Sequence, residues 1–206
     1  MPTENKQSIL SVFSAHTPQL IVDSTCRTSA VCIPFVETEK GLEILFELRR
    51  STLSENAGDI CFPGGMPEEG EEPLATALRE IKEELLLTDG QLQLLGTGDV
   101  FHNFAVTVHS FPVLIKGYTG TFSRAETERV FTVPLDTLLS AEPDAVPMEW
   151  VALLPESFPA DRISGGRNHK FRRQKYIQYF YPTPYGWIWG ITGKLLHACL
   201  ETLKQC

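Results

Sequence analysis

The residues best suited to chemistry are three glutamates, Glu80, Glu83 and Glu84, which lie within five consecutive positions. On an α-helix, at about 100° per residue, they share one face. Like charges at this spacing repel each other and destabilise a bare helix. Hard divalent cations prefer oxygen ligands, and Mg²⁺ typically takes one or two carboxylates together with substrate phosphates. The spacing therefore predicts either a metal site or a solvated acidic face.

The segment around these glutamates has the pattern of an amphipathic helix that follows a glycine-rich loop. Pro73 suits the first helical position, and Glu71 and Glu72 lie at the positive end of the helix dipole. An apolar stripe faces away from the glutamates and consists of Leu74, Leu78, Ile81 and Leu85. The loop over residues 51–72 is long for a compact domain, and loops of that length are usually functional.

Loop and helix together resemble the Nudix box, G-x5-E-x7-R-E-U-x-E-E-x-G-U, in which U is a bulky aliphatic residue. Eight of its nine positions match in register over residues 65–87, namely Gly65, Glu71, Arg79, Glu80, Ile81, Glu83, Glu84 and Leu87. The one departure is Leu86, which stands where the box has its second glycine. We expect this change to lengthen the helix by a residue or two without removing a ligand.

The resemblance implies an α+β Nudix fold, in which a mixed β-sheet is sandwiched between helices (α/β/α). It also implies hydrolysis of a nucleoside diphosphate linked to another moiety, with Mg²⁺ or Mn²⁺ held by Glu80, Glu83 and Glu84. Such an ion neutralises charge at phosphorus and orients the attacking water. Glu83, or a carboxylate from outside the box, would act as the general base.

Other box residues receive supporting roles from the same resemblance. Arg79 would orient a neighbouring carboxylate, and Glu71 would be its structural partner near the start of the helix. The backbone N–H groups of Gly64 and Gly65 would lie near the substrate, because glycine lets a phosphate approach closely. Simple turn geometry is the alternative explanation of the two glycines.

Upstream of the box, the chain resembles the coenzyme A pyrophosphatase branch, whose pattern is L-L-T-x-R-(S/A)-x3-R-x3-G-x3-F-P-G-G. The matching positions are Leu45, Arg49, Gly58, Phe62, Pro63, Gly64 and Gly65, whereas Glu47, Arg50 and Ser54 depart from the pattern. A one-residue slip would place Arg50 on the R-S pair instead. Residues 130–135 and 188–192 resemble two later motifs of the same branch. The resemblance implies that Arg49, Arg50, Phe62, Gly64 and Gly65 contact a coenzyme A-like nucleotide.

Two further groups are candidates. Glu126 stands where family members often carry an extra metal ligand or base, although Glu128 is close by and Glu126 could be an exposed loop carboxylate. Five of the 18 basic residues lie within residues 167–175. Arginine suits phosphate geometry, so Arg172 in this patch is a candidate substrate contact. A solvated loop or strand edge is the alternative.

The remaining elements must position these residues. Strands are predicted over residues 29–36, 43–48, 92–95, 106–115, 130–133 and 176–181, from their β-branched and aromatic content. Short helices or turns are predicted over 137–139 and 148–154, and terminal helices near 4–16 and within 187–204. The simplest organisation is one domain over residues 1–206, with the two terminal helices as decorations.

Composition excludes several classes of protein. The 206 residues carry 18 Lys and Arg against 26 Asp and Glu, a net charge of −8, so we expect no nucleic-acid partner. With 42% hydrophobic and 21% charged residues, the chain is typical of globular proteins rather than disordered ones. Five cysteines without a C-x-x-C pair favour reduced thiols and no zinc site. No signal peptide or membrane span is expected, which predicts a cytoplasmic protein.

The leading hypothesis is a metal-dependent pyrophosphohydrolase that cleaves coenzyme A or an acyl-CoA to 3′,5′-ADP and a phosphopantetheine. Glu47 and Ser54 leave open another substrate, such as ADP-ribose or a different nucleoside diphosphate derivative. Leu86 leaves open a Nudix module that senses a nucleotide without turnover. Many Nudix proteins dimerise, so a homodimer is also open.

Overall fold

A computed structural model describes residues 25–205, so the predicted helix near residues 4–16 lies outside the described residues. Eleven strands are described there: β1 Arg27–Thr38, β2 Gly41–Arg49, β3 Ile60–Cys61, β4 Gly64–Gly65, β5 Leu92–Leu94, β6 Val100–His102, β7 Val106–Ile115, β8 Thr127–Pro134, β9 Asp144–Trp150, β10 Gln174–Thr183 and β11 Gly186–Ile188. The α-helices in the same range are α1 Pro73–Leu85, α2 Leu135–Ser140 and α3 Gly190–Leu203. Short 3₁₀ turns lie at Asp89–Gln91, Ala160–Arg162 and Gly166–Asn168.

The main sheet is mixed. Its strands follow the order β3-β2-β1-β7-β5, with β4 on β1, β6 on β7 and β8 on β2. Strands β1 and β7 run parallel over ten paired residues, whereas β2 pairs antiparallel with both β1 and β8. A second sheet of β11, β10 and β9 is antiparallel throughout.

Alternating side chains on β1 and β2 separate two hydrophobic cores, as the period of two in a strand requires. On one face, Ala30, Cys32 and Leu45 pack with Ile81 and Leu85 of α1. On the other face, the core includes Ile33, Phe35, Ile44 and Phe46 from the sheet and Leu195, Leu196 and Leu200 from α3. The expected sandwich of a mixed sheet between helices is therefore confirmed.

Helix α1 begins at Pro73, as predicted, but it ends without the expected extension. Leu86 adopts a left-handed conformation with φ 55° and ψ 46°, so the helix stops at Leu85. The next N–H group, that of Leu87, turns back to the carbonyl oxygen of Lys82 at 3.0 Å. Leucine here takes the conformation that glycine adopts more easily.

Other element predictions differ from the structure at particular places. The short helix or turn expected over residues 148–154 is wrong, because Asp144–Trp150 is a strand that pairs with β10. The predicted loop over residues 51–72 contains the two-residue strands β3 and β4, whose pairing depends on distant partners. Within residues 25–205 every helix is too short or too polar to form a bilayer span.

Candidate active site

Arg79 lies at the centre of the box side chains. Its Nε and Nη2 donate to the two carboxylate oxygens of Glu71, each at 3.0 Å. Its Nη1 donates to Glu80 at 2.8 Å and forms a longer ion pair with Glu83 at 3.6 Å. A guanidinium can hold two carboxylates in fixed positions because its five N–H donors form a rigid fork.

Glu71 joins this arrangement to the start of α1. Besides Arg79, its carboxylate accepts hydrogen bonds from the backbone N–H of Glu68 and the hydroxyl of Thr76. These bonds, above all the one from Arg79, lower the pKa of Glu71 to about 2. Because its oxygens are engaged by three residues, Glu71 is placed to orient Arg79.

Glu84 is held from the loop side of the site. The backbone N–H of Gly64, in β4, donates to its Oε2 at 2.8 Å. Burial is the largest cause that raises the pKa of Glu84, and the charge of Glu47 raises it further. A buried carboxylate beside other carboxylates favours a cation in its vicinity.

Glu47 is a charged residue in the interior of β2, where it is 1% exposed. Its Oε2 accepts a hydrogen bond from the Thr127 hydroxyl at 3.0 Å, but its buried Oε1 has no hydrogen-bond partner among the described residues. Burial raises the pKa of Glu47, while Thr127 and Arg49 lower it. A buried carboxylate oxygen without a partner is costly. Analysis of the sequence noted Glu47 only as a departure from a motif, although one acidic residue inside the apolar run Ile44–Leu48 is a visible signal.

Glu126 lies immediately before β8 and is paired with Arg49. Arg49 Nη2 donates to its Oε2 at 3.2 Å, and the neighbouring Arg50 donates its backbone N–H to the Glu126 carbonyl. The Arg50 side chain turns away and donates to the carbonyl of Arg124 at 2.7 Å. The two hydrogen bonds of Arg50 therefore stabilise the position of the segment that carries Glu126.

Five of the charged side chains of this region, those of Arg49, Glu80, Glu83, Glu84 and Glu126, line a cavity of about 580 Å³, here called the box cavity. A second cavity of about 340 Å³, the Trp189 cavity, is lined by residues such as Ile60, Phe62, Trp189 and Leu195. The two cavities share lining residues, namely Ser29, Arg49, Asn56, Gly64, Val108 and Ile191. They therefore form one continuous depression with an acidic part and an aromatic part.

The donor set of the box cavity fits a hard divalent cation, because Glu80, Glu83, Glu84 and Glu126 supply carboxylate oxygens to its wall. Among residues 25–205, however, no three Asp, Glu, His or Cys side chains already converge on one point. Arg79 accounts for this, since it engages both Glu80 and Glu83.

The structure brings together most of the residues predicted from the sequence. Arg49, Gly64, Gly65, Glu80, Glu83, Glu84 and Glu126 line the box cavity, whereas Glu71 and Arg79 hold these glutamates from outside its lining. Phe62 lines the Trp189 cavity from a buried position against Phe46.

Two predicted substrate contacts lie elsewhere. Arg50 lines neither of these cavities. Arg172 is exposed in the segment before β10 and also lines neither cavity, while its neighbours Arg173 and Lys175 pair with Glu149. Analysis of the sequence did not identify Trp189, whose Nε1 donates to Asp59 at 3.3 Å; its place in the I-W-G motif was the available signal.

The chain is similar to Nudix proteins in a family profile, in sequence and among solved structures. The family profile described as NUDIX domain matches residues 27–153. Nudix hydrolase 3 of Caenorhabditis elegans is 25% identical, over 96% of this chain and 82% of that protein. The peroxisomal coenzyme A diphosphatase NUDT7 of Mus musculus is 31% identical, over 53% of this chain and 48% of that protein. Among solved structures, the Nudix hydrolase RenU of M. smegmatis is similar with a TM-score of 0.47 and 19% identity, covering 54% of this chain and 72% of that one.

Proposed function

Because this chain belongs to the Nudix hydrolase family, we propose that it hydrolyses the diphosphate of coenzyme A or an acyl-CoA. The products would be 3′,5′-ADP and the corresponding phosphopantetheine. The family membership covers the reaction type, hydrolysis of a diphosphate linkage in a small nucleotide derivative. The coenzyme A substrate is the finer proposal.

The observation that supports it is the continuity of the box cavity with the Trp189 cavity. Arg49 and Gly64 line both, so a diphosphate beside the carboxylates would have room for a long, partly apolar arm next to Phe62 and Leu195. Coenzyme A has this shape. A relative that carries the name coenzyme A diphosphatase aligns with about half of the chain.

Nudix hydrolases generally use divalent metals, and Mg²⁺ or Mn²⁺ bound by Glu80, Glu83 and Glu84 would neutralise charge at phosphorus and lower the pKa of the attacking water. Arg79 keeps Glu71 and Glu80 in fixed positions, which reduces the entropy lost in reaching the reactive geometry. The Gly64 N–H group orients Glu84.

Two residues outside the box complete the proposed mechanism. Arg49 lies between the two cavities, and its guanidinium would bind a phosphate oxygen of the substrate. Glu126 is exposed at the rim of the box cavity, with one oxygen on Arg49. Its second oxygen would accept the proton of the attacking water, a role for which Glu83 is the other candidate.

ADP-ribose or another nucleoside diphosphate derivative is the second candidate. Glu47 leaves it open, because this buried glutamate stands where the coenzyme A branch has a threonine, in the strand that ends at Arg49.

The test incubates the purified protein with coenzyme A, acetyl-CoA, 3′-dephospho-CoA, ADP-ribose, NADH and nucleoside triphosphates, each with Mg²⁺ or Mn²⁺, and identifies products by mass. Release of phosphopantetheine from coenzyme A species in preference to the others is the expected result. Preferential cleavage of ADP-ribose or triphosphates would contradict the coenzyme A proposal. Thermal stabilisation by a nucleotide without any cleavage would indicate the sensing module instead.

A further inference from the structure

A third cavity, the Trp150 cavity, lies beside the two that the proposed reaction uses. Its volume is about 270 Å³, and it is lined by Phe101, His102, Asn103, Trp150, Gln174, Tyr176, Gln178, Gly190, Ile191 and Lys194. Ile191 lines all three cavities, and Gly190 lines this one and the Trp189 cavity. The start of α3 is therefore the point at which the three cavities meet.

The Trp150 cavity has an aromatic wall that solvent reaches. Trp150 is 47% exposed, although β9 and β10 hold it in place. Its ring stacks on Tyr176 with centroids 6.0 Å apart, and Phe104 meets it edge-on at 4.9 Å. A rigid, exposed indole of this kind provides a surface on which a planar base can stack.

The charge of the Trp150 cavity is opposite to that of the protein. The chain carries a net charge of −8, yet the described lining of this cavity contains no carboxylate and one lysine. Lys194 lies over the ring of Tyr176 at 4.8 Å and over that of Phe101 at 5.8 Å, and its Nζ donates to the carbonyl of Ile177 at 2.8 Å. Two of its three N–H donors therefore remain for a ligand.

Neutral amides complete the lining. The side-chain oxygen of Asn103 accepts hydrogen bonds from the backbone N–H groups of Ala105 and Val106. The NH₂ group of Asn103 is therefore available to a hydrogen-bond acceptor on a ligand. Gln174 lies at the first position of β10, opposite Trp150 across the strand pair. Amide groups beside aromatic faces suit the polar edge of a purine, whereas an acyl chain offers them no partner.

We propose that the Trp150 cavity binds the adenine nucleoside of the substrate, with the base stacked on Trp150 and a phosphate on the ribose bound by Lys194. This inference rests on the proposed function, since it assigns the two halves of the same substrate. The Trp189 cavity contains the carboxylate of Asp59, which disfavours a second phosphate there. The Trp150 cavity therefore takes the phosphorylated nucleoside, and the Trp189 cavity takes the other arm.

The test measures binding of adenosine 3′,5′-bisphosphate and of AMP by titration calorimetry in EDTA, where no turnover occurs. Trp150→Leu is expected to weaken both ligands about tenfold, as the loss of one base–aromatic stack does, and Trp150→Phe to restore most of the affinity. Lys194→Met is expected to weaken the bisphosphate about tenfold and AMP by less than threefold. The matched controls Trp187→Leu and Lys204→Met, which alter an exposed tryptophan and a lysine outside the three cavities, should bind as the wild type does.

Kinetics separate this inference from the proposed function. If coenzyme A is cleaved, Trp150→Leu should raise KM about tenfold while kcat changes less than twofold. Cleavage of coenzyme A with wild-type KM in both variants would overturn the nucleoside site and leave the proposed substrate intact. Failure to cleave coenzyme A, with the binding effects of Trp150→Leu retained, would overturn the substrate and leave the nucleoside site. Absence of nucleotide binding by the wild type at millimolar ligand would also overturn the site.

Discussion

Arg79 is the residue on which the arrangement of the box carboxylates depends. It joins Glu71, which lies just before α1, to Glu80 and Glu83 in the second half of that helix. Its side chain is 25% exposed, so solvent only partly screens these ion pairs. Bonds of this kind contribute more through geometry than through charge alone.

Arg79→Lys should therefore lower both stability and turnover. A lysine cannot form the two parallel bonds to Glu71, so we expect unfolding to become easier by about 1–2 kcal/mol and kcat to fall roughly 10- to 100-fold through misplacement of Glu80. Thermal unfolding and steady-state kinetics measure the two effects. Arg162→Lys, in an exposed 3₁₀ turn, is the control, and a kcat equal to that of the wild type would contradict the assigned role.

Glu84→Gln tests the metal assignment. The amide oxygen can still accept the Gly64 N–H bond, so the fold should persist, while loss of the negative charge weakens cation binding. We expect kcat to fall at least about 100-fold and the rise in Tm on adding Mg²⁺ to shrink. Glu128→Gln, which removes an equal charge from the exposed face of β8, should change neither quantity. Activity close to that of the wild type would show that Glu84 is not a ligand.

At the scale of elements, the short strand β4 sets the distance between the sheet and α1. Gly64 has φ 153°, and a Cβ atom there would lie less than 3.0 Å from the backbone of Ala30 and Val31. A Cβ atom on Gly65 would instead lie less than 3.0 Å from the carboxylate of Glu80. Steric contacts, and not only turn geometry, therefore require glycine at both positions.

The two glycine-to-alanine variants should consequently differ. Gly64→Ala collides with backbone that cannot move, so we expect a loss of about 2–4 kcal/mol in the free energy of unfolding. Gly65→Ala collides with the end of a flexible side chain, so stability should change little while kcat falls about tenfold as Glu80 leaves Arg79. Denaturant unfolding and kinetics distinguish the two, and equal stability losses would refute this difference.

At the end of α1, a substitution to glycine is expected to increase the stability of the protein rather than reduce it. Leu86 is exposed and left-handed, a conformation that costs roughly 1–2 kcal/mol for residues with a Cβ atom. Leu86→Gly should therefore raise the free energy of unfolding by about 0.5–1 kcal/mol after allowing for the greater freedom of glycine in the unfolded chain. Leu86→Ala keeps the Cβ atom and should give no such gain. A destabilised glycine variant would mean that the Leu86 side chain makes contacts that outweigh the strain.

At the scale of the whole molecule, the fold brings carboxylates from three separate segments into one partly buried region. Glu47 comes from β2, Glu80 and Glu84 come from α1, and Glu126 comes from the segment before β8. The antiparallel pairing of β2 with β8 places Glu126 beside Arg49. After burial, the charges of Glu47, Glu80 and Glu126 raise the pKa of Glu84 further.

Stability of the metal-free protein should therefore depend on pH. Burial raises the pKa of Glu47 and Glu84 above the ordinary value of 4.5, so the folded protein keeps protons that the unfolded chain has lost. Stability is then greatest near or below pH 4.5 for these two groups and falls as the pH rises above it, by up to about 1.4 kcal/mol per pH unit for each proton. The pKa of Glu71 is lowered, so its contribution to the stability of the folded protein is lost only as the pH falls below 4.5.

Thermal unfolding in EDTA between pH 5.5 and 8.5 measures this dependence. We expect Tm to fall with rising pH, the fall to be smaller in Glu84→Gln, and Mg²⁺ to restore most of the lost stability at pH 8. Identical slopes for the wild type and the variant would contradict the assigned burial of Glu84.

Several features of the fold and of the site can be predicted from residues that lie close together in the sequence. The helix over residues 73–85 is set by Pro73 and by apolar spacing, both of which act within a few residues of chain. The box, and with it the family and the reaction type, rests on residue identities at fixed spacing. The parallel pair of strands at residues 29–36 and 106–115 is also visible as two apolar runs, although their pairing is not.

Only the tertiary structure decided which of the candidate residues meet. Arg49, the last residue of β2, lines the cavity, whereas Arg50 follows the end of the strand and its side chain donates to the carbonyl of Arg124. Trp150 becomes the wall of a cavity only through the pairing of β9 with β10. Glu47 is unusual because the fold buries it and leaves its Oε1 without a partner among the described residues. These relations depend on contacts between distant segments, such as the hydrogen bond that joins Glu47 to Thr127, 80 positions along the chain, and no local pattern in the chain encodes them.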